Sequence, residues 1–159
     1  MRKMLVNSVW LIAIILLLSA CEGEQVETKY YMSLMGESDT WKLNGYEIML
    51  TSDGEKAGNG KLSMKGVDEY VSDIFSFRTH AVIDGEDTVI HGGSVSGQTD
   101  IAQQTTGTIV GEGGKTITID EVSSIYMMIE WWDTDENIPA QERIDLYRKP
   151  EDGETFLQG

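Results

Sequence analysis

The chain has 159 residues, with 12 Lys and Arg against 27 Asp and Glu, and a formal charge of −15. A surface this acidic repels phosphate backbones and excludes nucleic acid as a partner. Hydrophobic residues make up 40% and Cys21 is the only cysteine, which points to a globular domain without disulfides or thiolate metal sites.

The chain opens on a short basic segment, Arg2 and Lys3, followed by an apolar run over residues 9–18 and then Ser19-Ala20-Cys21. This is the layout of a secretory signal. The apolar run is about half of the roughly 20 residues a membrane-crossing helix needs. Leu18-Ser19-Ala20-Cys21 resembles the lipobox of bacterial lipoproteins. The resemblance implies cleavage before Cys21, a diacylglycerol on its Sγ, and anchoring at the outer face of the cell membrane. Two acyl chains, at about 0.8 kcal/mol per buried methylene, hold a protein where one would be marginal. Removal of residues 1–20 takes away Arg2 and Lys3 and no acid, so the mature charge is −17. That charge also repels anionic lipid headgroups and anionic wall polymers within about 8 Å.

Residues 21–38 read as a lipidated tether spanning about 20 Å as a flexible chain. Its end carries Tyr30, Tyr31, Leu34 and Met35, which could instead pair as a first edge strand. From 39 to 149 the pattern is β: short runs of Val, Ile, Thr and aromatics broken by Gly, Asn and Asp. Over 41–50, Trp41 and Leu43 have one parity and Tyr46, Ile48 and Leu50 the other, which predicts a β-bulge at Asn44-Gly45. Residues 61–65 place Leu62 and Met64 inward. Residues 73–83 set Phe75, Phe77, Ala81 and Ile83 against Ile74, Arg78 and His80. Weaker strands follow at 88–90 and 106–110, inside a glycine-rich stretch over 85–114 that reads as tight loops at one end of the fold. Residues 115–122 predict a strand with Ile117 and Ile119 inward. Residues 125–132 are apolar on both parities, which predicts a central strand covered on both faces. A hairpin over 133–141, with Pro139 in the turn, leads to a last strand at 143–148; 150–159 is a polar tail. About seven to eight such strands indicate an all-β fold, an antiparallel sandwich or a small barrel.

No pattern assembles a catalytic centre. Gly114-Lys115-Thr116 lacks the earlier glycine of a phosphate loop, because Ile109 stands there. Asp133, Asp135 and Asn137 have the spacing that opens a calcium loop, but Ile138 and Ile144 occupy the positions that need Gly and Glu. A weak calcium contact in that acidic turn stays open. His80 and His91, the two histidines, have no nucleophile elbow and no cysteine to serve. No cofactor and no metal centre are expected. Trp131 and Trp132 end the central strand; alternation buries Trp131 and turns Trp132 toward the acidic turn, where it could offer an aromatic platform to a sugar or peptide. The candidate ligand-binding residues are therefore Trp132, Asp133, Asp135 and His91.

Gly36-Glu37-Ser38 followed by Trp41-Lys42 comes first, and Gly60-Lys61-Leu62-Ser63-Met64-Lys65-Gly66 a turn later. Ile129-Glu130-Trp131 with a hairpin to Ile144-Asp145-Leu146 closes the chain. Together with the lipobox, this order resembles a group of small, uncharacterised lipoproteins of Bacillus-like Gram-positive bacteria. The resemblance covers most of the chain and implies a surface-anchored β-domain, with no activity and no site residues attached. The turn over 133–141 is longer than the tight hairpin of that group. The expected function is a non-enzymatic binding module on the extracytoplasmic face, for a wall component, a basic protein or weakly held calcium. Two alternatives stay open: a surface hydrolase using Asp and Glu, and an immunity or inhibitor lipoprotein with one protein partner.

Overall fold

The computed structural model describes residues 28–111 and 116–150; the signal segment, Cys21 and residues 151–159 lie outside the described residues. Among the described residues, nine strands form two antiparallel sheets. The five-stranded sheet contains β1 (Thr28–Glu37), β2 (Trp41–Thr51), β3 (Gly54–Gly58), β4 (Lys61–Met64) and β7 (Gln103–Thr105), in the order β1-β2-β4-β7 with β3 also pairing with β2. The four-stranded sheet contains β5 (Val71–Ile83), β6 (Glu86–Asp100), β8 (Val122–Asp133) and β9 (Ile138–Arg148), in the order β6-β5-β8-β9. The sheets face each other as a sandwich and do not close into a barrel.

Strand alternation builds the core. Trp41, Leu43, Tyr46, Ile48 and Leu62 from one sheet meet Phe75, Ile125, Met127, Ile129 and Ile144 from the other. Trp41 packs edge-on against Trp131 at 5.6 Å and lies 5.3 Å from Phe75. Trp131 is buried, as its parity predicts. The bulge in β2 is where the parity switch placed it: β1 pairs Leu34 with Tyr46 but Gly36 with Leu43, and Gly45 takes φ +63°.

Several elements differ from expectation. β1 takes up residues 28–37, so the edge-strand reading of that stretch holds, with Met32 buried and Leu34 packed on the core. Tyr30, Tyr31 and Met35 stay exposed. The glycine-rich stretch is not mainly loops: Gly92, Gly93 and Gly97 lie within β6, a strand of 15 residues. A Cβ on Gly93 would sit 2.7 Å from the Phe77 ring, so the missing side chain is the space that ring fills. Residues 106–110 form only a single bridge, between Ala57 and Val110. Residues 116–121 are not a strand. A 3-10 turn spans Ile119–Glu121, and the Glu121 carboxylate accepts from the Thr118 N–H at 2.6 Å and the Thr118 hydroxyl at 3.0 Å. That local bonding competes successfully with a ladder. Ile117 and Ile119 nonetheless pack on the core.

β8 is central within its sheet, between β5 and β9, but only one of its faces meets the opposite sheet. Its other face is the outer surface of the sandwich. The hairpin is tighter than expected: Asp133 pairs with Ile138 across residues 134–137. Pro139 belongs to β9, opposite Trp132, rather than to the turn. An edge strand tolerates a residue without an N–H.

Candidate functional site

The outer face of the four-stranded sheet is built from the alternate residues of β8 that point away from the core: Tyr126, Met128, Glu130 and Trp132. Pairing places each between a β5 residue and a β9 residue. Glu130 lies between Ser76 and Gln141, and Trp132 lies beside Pro139 with Ile74 on the far strand. Trp132 is half-buried and Ile74 is exposed. A cavity of about 410 Å³ opens here, lined on its apolar side by Ile74, Trp132, Pro139 and Ala140 and on its polar side by Glu130 and Gln141. Its size and its mixture of apolar surface with few polar groups are those of a small-ligand groove.

The polar groups are held in place. Glu130 Oε1 forms an ion pair with Arg78 and accepts from Gln141 Nε2 at 3.0 Å. Its Oε2 has only a long contact, 3.5 Å, with the Ser76 hydroxyl. The buried Ser72 hydroxyl donates to the Trp132 carbonyl at 2.9 Å, which fixes the backbone under the indole.

Asp133 follows directly. Its Oδ1 accepts from the Tyr70 hydroxyl at 2.9 Å and from the N–H groups of Asp135 and Glu136 at 2.9 and 3.1 Å. Hydrogen bonds from the Glu136 backbone and then from Tyr70 hold the Asp133 carboxyl below the usual range. Asp133 therefore ties the hairpin turn together, and Asp135, exposed in the turn, presents its N–H to it. Among the described residues no three His, Cys, Asp or Glu side chains converge as metal ligands.

The structure thus brings Trp132, Asp133 and Asp135 together at one end of the sheet and separates His91 from them. His91 lies on β6 and is buried against the core, with Nδ1 2.9 Å from the Tyr46 hydroxyl. Its ring stacks on Tyr46 at 5.9 Å and meets Phe77 edge-on at 5.3 Å. Burial pushes its pKa down.

Sequence reasoning missed an ordered cluster farther along the same outer face. His80 stacks on Tyr126 at 4.8 Å, and the Arg143 guanidinium lies 3.7 Å from the Tyr126 ring centre. Asp87 receives the Tyr126 hydroxyl on one oxygen and lies 2.8 Å from His80 Nδ1 through the other. The Tyr126 bond, then His80, draws the Asp87 carboxyl down, and the same bond pushes the Tyr126 phenol up. Four strands contribute to this cluster. Its sequence signals were His80 on the second parity of residues 73–83 and the run of large side chains on the second parity of β8.

This face offers an aromatic platform and a rigid acceptor. The groove has one lining carboxylate among the described residues, so it does not assemble the paired carboxylates that glycoside hydrolysis uses. The chain matches no family model, and neither a curated protein nor a solved structure matches it.

Proposed function

We propose that this chain is a lipid-anchored, extracytoplasmic binding module that takes an uncharged wall saccharide in the Trp132 groove. The observation that carries the reading is the placement of the half-buried Trp132 ring beside a carboxylate whose orientation is set by Arg78 and Gln141. A sugar ring has an apolar face that stacks on an indole and hydroxyls that donate to a fixed acceptor. Glu130 Oε2, only loosely engaged by Ser76, is the acceptor left for such hydroxyls. The lipobox at Leu18-Ser19-Ala20-Cys21 supports placement at the outer membrane surface, within reach of the wall. A mature charge of −17 favours a neutral glycan over phosphate-bearing wall polymers.

The test is a titration of the full-length chain, in detergent micelles, with a neutral N-acetylglucosamine oligomer, followed by tryptophan fluorescence. Saturable binding is expected, with Trp132→Ala weakening it by about 2 kcal/mol, roughly thirtyfold. An unresponsive wild-type chain, or a variant that binds as well as wild type, would refute the groove as the site.

A further inference from the structure

The sandwich has a second cavity, between its sheets rather than on its outer face. It measures about 420 Å³ and opens at the edge where β3 of one sheet lies near β6 of the other. Two polar residues that line it face inward. Glu55 pairs with Leu50 and Ala57 with Ile48, so strand alternation puts the Glu55 side chain on the face occupied by buried Leu50 and Ala57. His91 pairs with Thr79, which is wholly buried between Phe77 and Ala81 along β5. Val89, Ile90 and Val110 supply the apolar lining.

An inward charge on an edge strand is a known guard against edge-to-edge pairing. That accounts for Glu55 alone. It explains neither the histidine brought to the same place by the opposite sheet nor the cavity between them. The Glu55 side chain is half-buried, so solvent reaches it, and it has no hydrogen-bond or ion-pair partner among the described residues; His91 is bonded there only through Nδ1. A carboxylate left without a protein partner beside an apolar wall is free to pair with a cationic ligand. The Tyr46 hydroxyl, with the Thr79 side chain beside it, engages His91 Nδ1 and leaves Nε2 as the ring nitrogen without a partner among the described residues. The cavity offers a ring nitrogen at His91, a carboxylate at Glu55 and an apolar wall.

We infer that this cavity binds an α-ammonium amide with an apolar side chain. The ammonium pairs with Glu55, the amide, which can donate or accept, bonds to His91 Nε2, and the side chain lies against Val89, Ile90 and Val110. The acidity of the whole chain raises the local concentration of cations and favours the same ligand sign. An amino-acid amide and the free amino terminus of an apolar peptide share this chemistry. The site is separate from the Trp132 groove and does not depend on what that groove takes.

The chain has two histidines, and only one lines the cavity, so His80 is an internal control. The imidazole Cε1–H signals of the full-length chain in micelles are followed at pH 7 during titration with valinamide, N-acetylvalinamide and the tripeptide Val-Ala-Ala. The His91 signal is expected to move saturably with valinamide while the His80 signal stays put. N-acetylvalinamide, which lacks the ammonium, and the variant Glu55→Gln with valinamide are each expected to bind about tenfold more weakly. Tighter binding of the tripeptide assigns a peptide terminus, and equal or weaker binding assigns the free small molecule. A stationary His91 signal, equal affinity for valinamide and its acetylated form, or an unaffected Glu55→Gln variant overturns the site.

Discussion

The two long edges of the sandwich each carry a glutamate turned inward, and they treat it in opposite ways. On the side where β1 and β2 meet β9, Glu142 lies opposite core residue Ile129. Its carboxylate accepts from the Thr40 N–H at 3.0 Å and the Thr40 hydroxyl at 2.6 Å, so one sheet holds the charge of the other. The backbone is close there too: a Cβ on Gly36 would sit 2.6 Å from Ile144 Cγ2 and 2.8 Å from the Asp145 carbonyl oxygen. On the side where β3 approaches β6, Glu55 meets a cavity of about 420 Å³ and a histidine from the other sheet. An inward carboxylate bonded by the opposite sheet closes an edge. One without a protein partner, at a cavity that solvent reaches, leaves the edge open to a ligand.

The broadest way to break this comparison is through the core on which both edges lean. Trp131→Ala removes a buried ring packed on Trp41 and should cost about 3–5 kcal/mol in urea unfolding. A loss well under about 1 kcal/mol would place the wrong face of β8 inside. Gly36→Ala attacks the closed edge alone. Backbone is among the atoms its Cβ meets, so about 1–3 kcal/mol is expected, and a neutral result would show slack where the geometry shows none.

Glu142→Gln sharpens the comparison through pH. Burial by itself would raise the Glu142 pKa, but hydrogen bonds from Ser38 and Thr40 outweigh it and hold the carboxyl below its ordinary value of 4.5. A depressed acid stabilises the fold above its unfolded pKa and loses that contribution as pH falls through the folded value. The wild type should therefore exceed Glu142→Gln by about 1 kcal/mol near neutrality. The gap should shrink below pH 4.5, measured by chemical unfolding across a pH series. A gap that does not change with pH would remove the carboxylate from the closure of this edge.

The smallest effect concerns slope rather than size and belongs to the open edge. Burial holds the His91 pKa below 6.5, so the unfolded chain takes up a proton there before the folded one does. Stability should be full above pH 6.5 and decline as pH falls from there toward the folded value, and His91→Gln should flatten that stretch of the profile. An unchanged slope in the variant would mean that the ring is better solvated than its packing against Tyr46 and Phe77 implies.

Legibility in the sequence follows the range of the interactions involved. The parity switch at Asn44-Gly45 and the alternation of 61–64 and 73–83 were readable because a strand sorts its own residues two by two. β6 was not readable as one strand. Much of it is Gly and Ser, and its continuity comes from Phe77 and the β5 ladder rather than from its own apolar residues. Pro139 looked like a turn residue because nothing local shows that β9 is an edge. At the candidate site, Trp132 and the acidic turn were found because they adjoin in sequence. Glu130 with Arg78 and Gln141, and Tyr126 with His80, Asp87 and Arg143, were missed because each set is gathered by register from separate strands. His91 was grouped with Trp132 and the acidic turn, whereas the structure sets it on β6 against Tyr46 and Phe77.

Residue order by itself determined that this protein is an all-β antiparallel chain and which side chains of its main strands enter the core, since alternation and turn chemistry act over a few residues. Only the tertiary structure decided for two facing sheets over a closed barrel, which face of β8 stays open, which inward glutamate finds a partner and where a cavity remains between the sheets. Those outcomes depend on how two sheets are set against each other at their edges. A shift of one residue in pairing, such as the one between Thr79 and His80, changes which side chains meet without altering any local pattern.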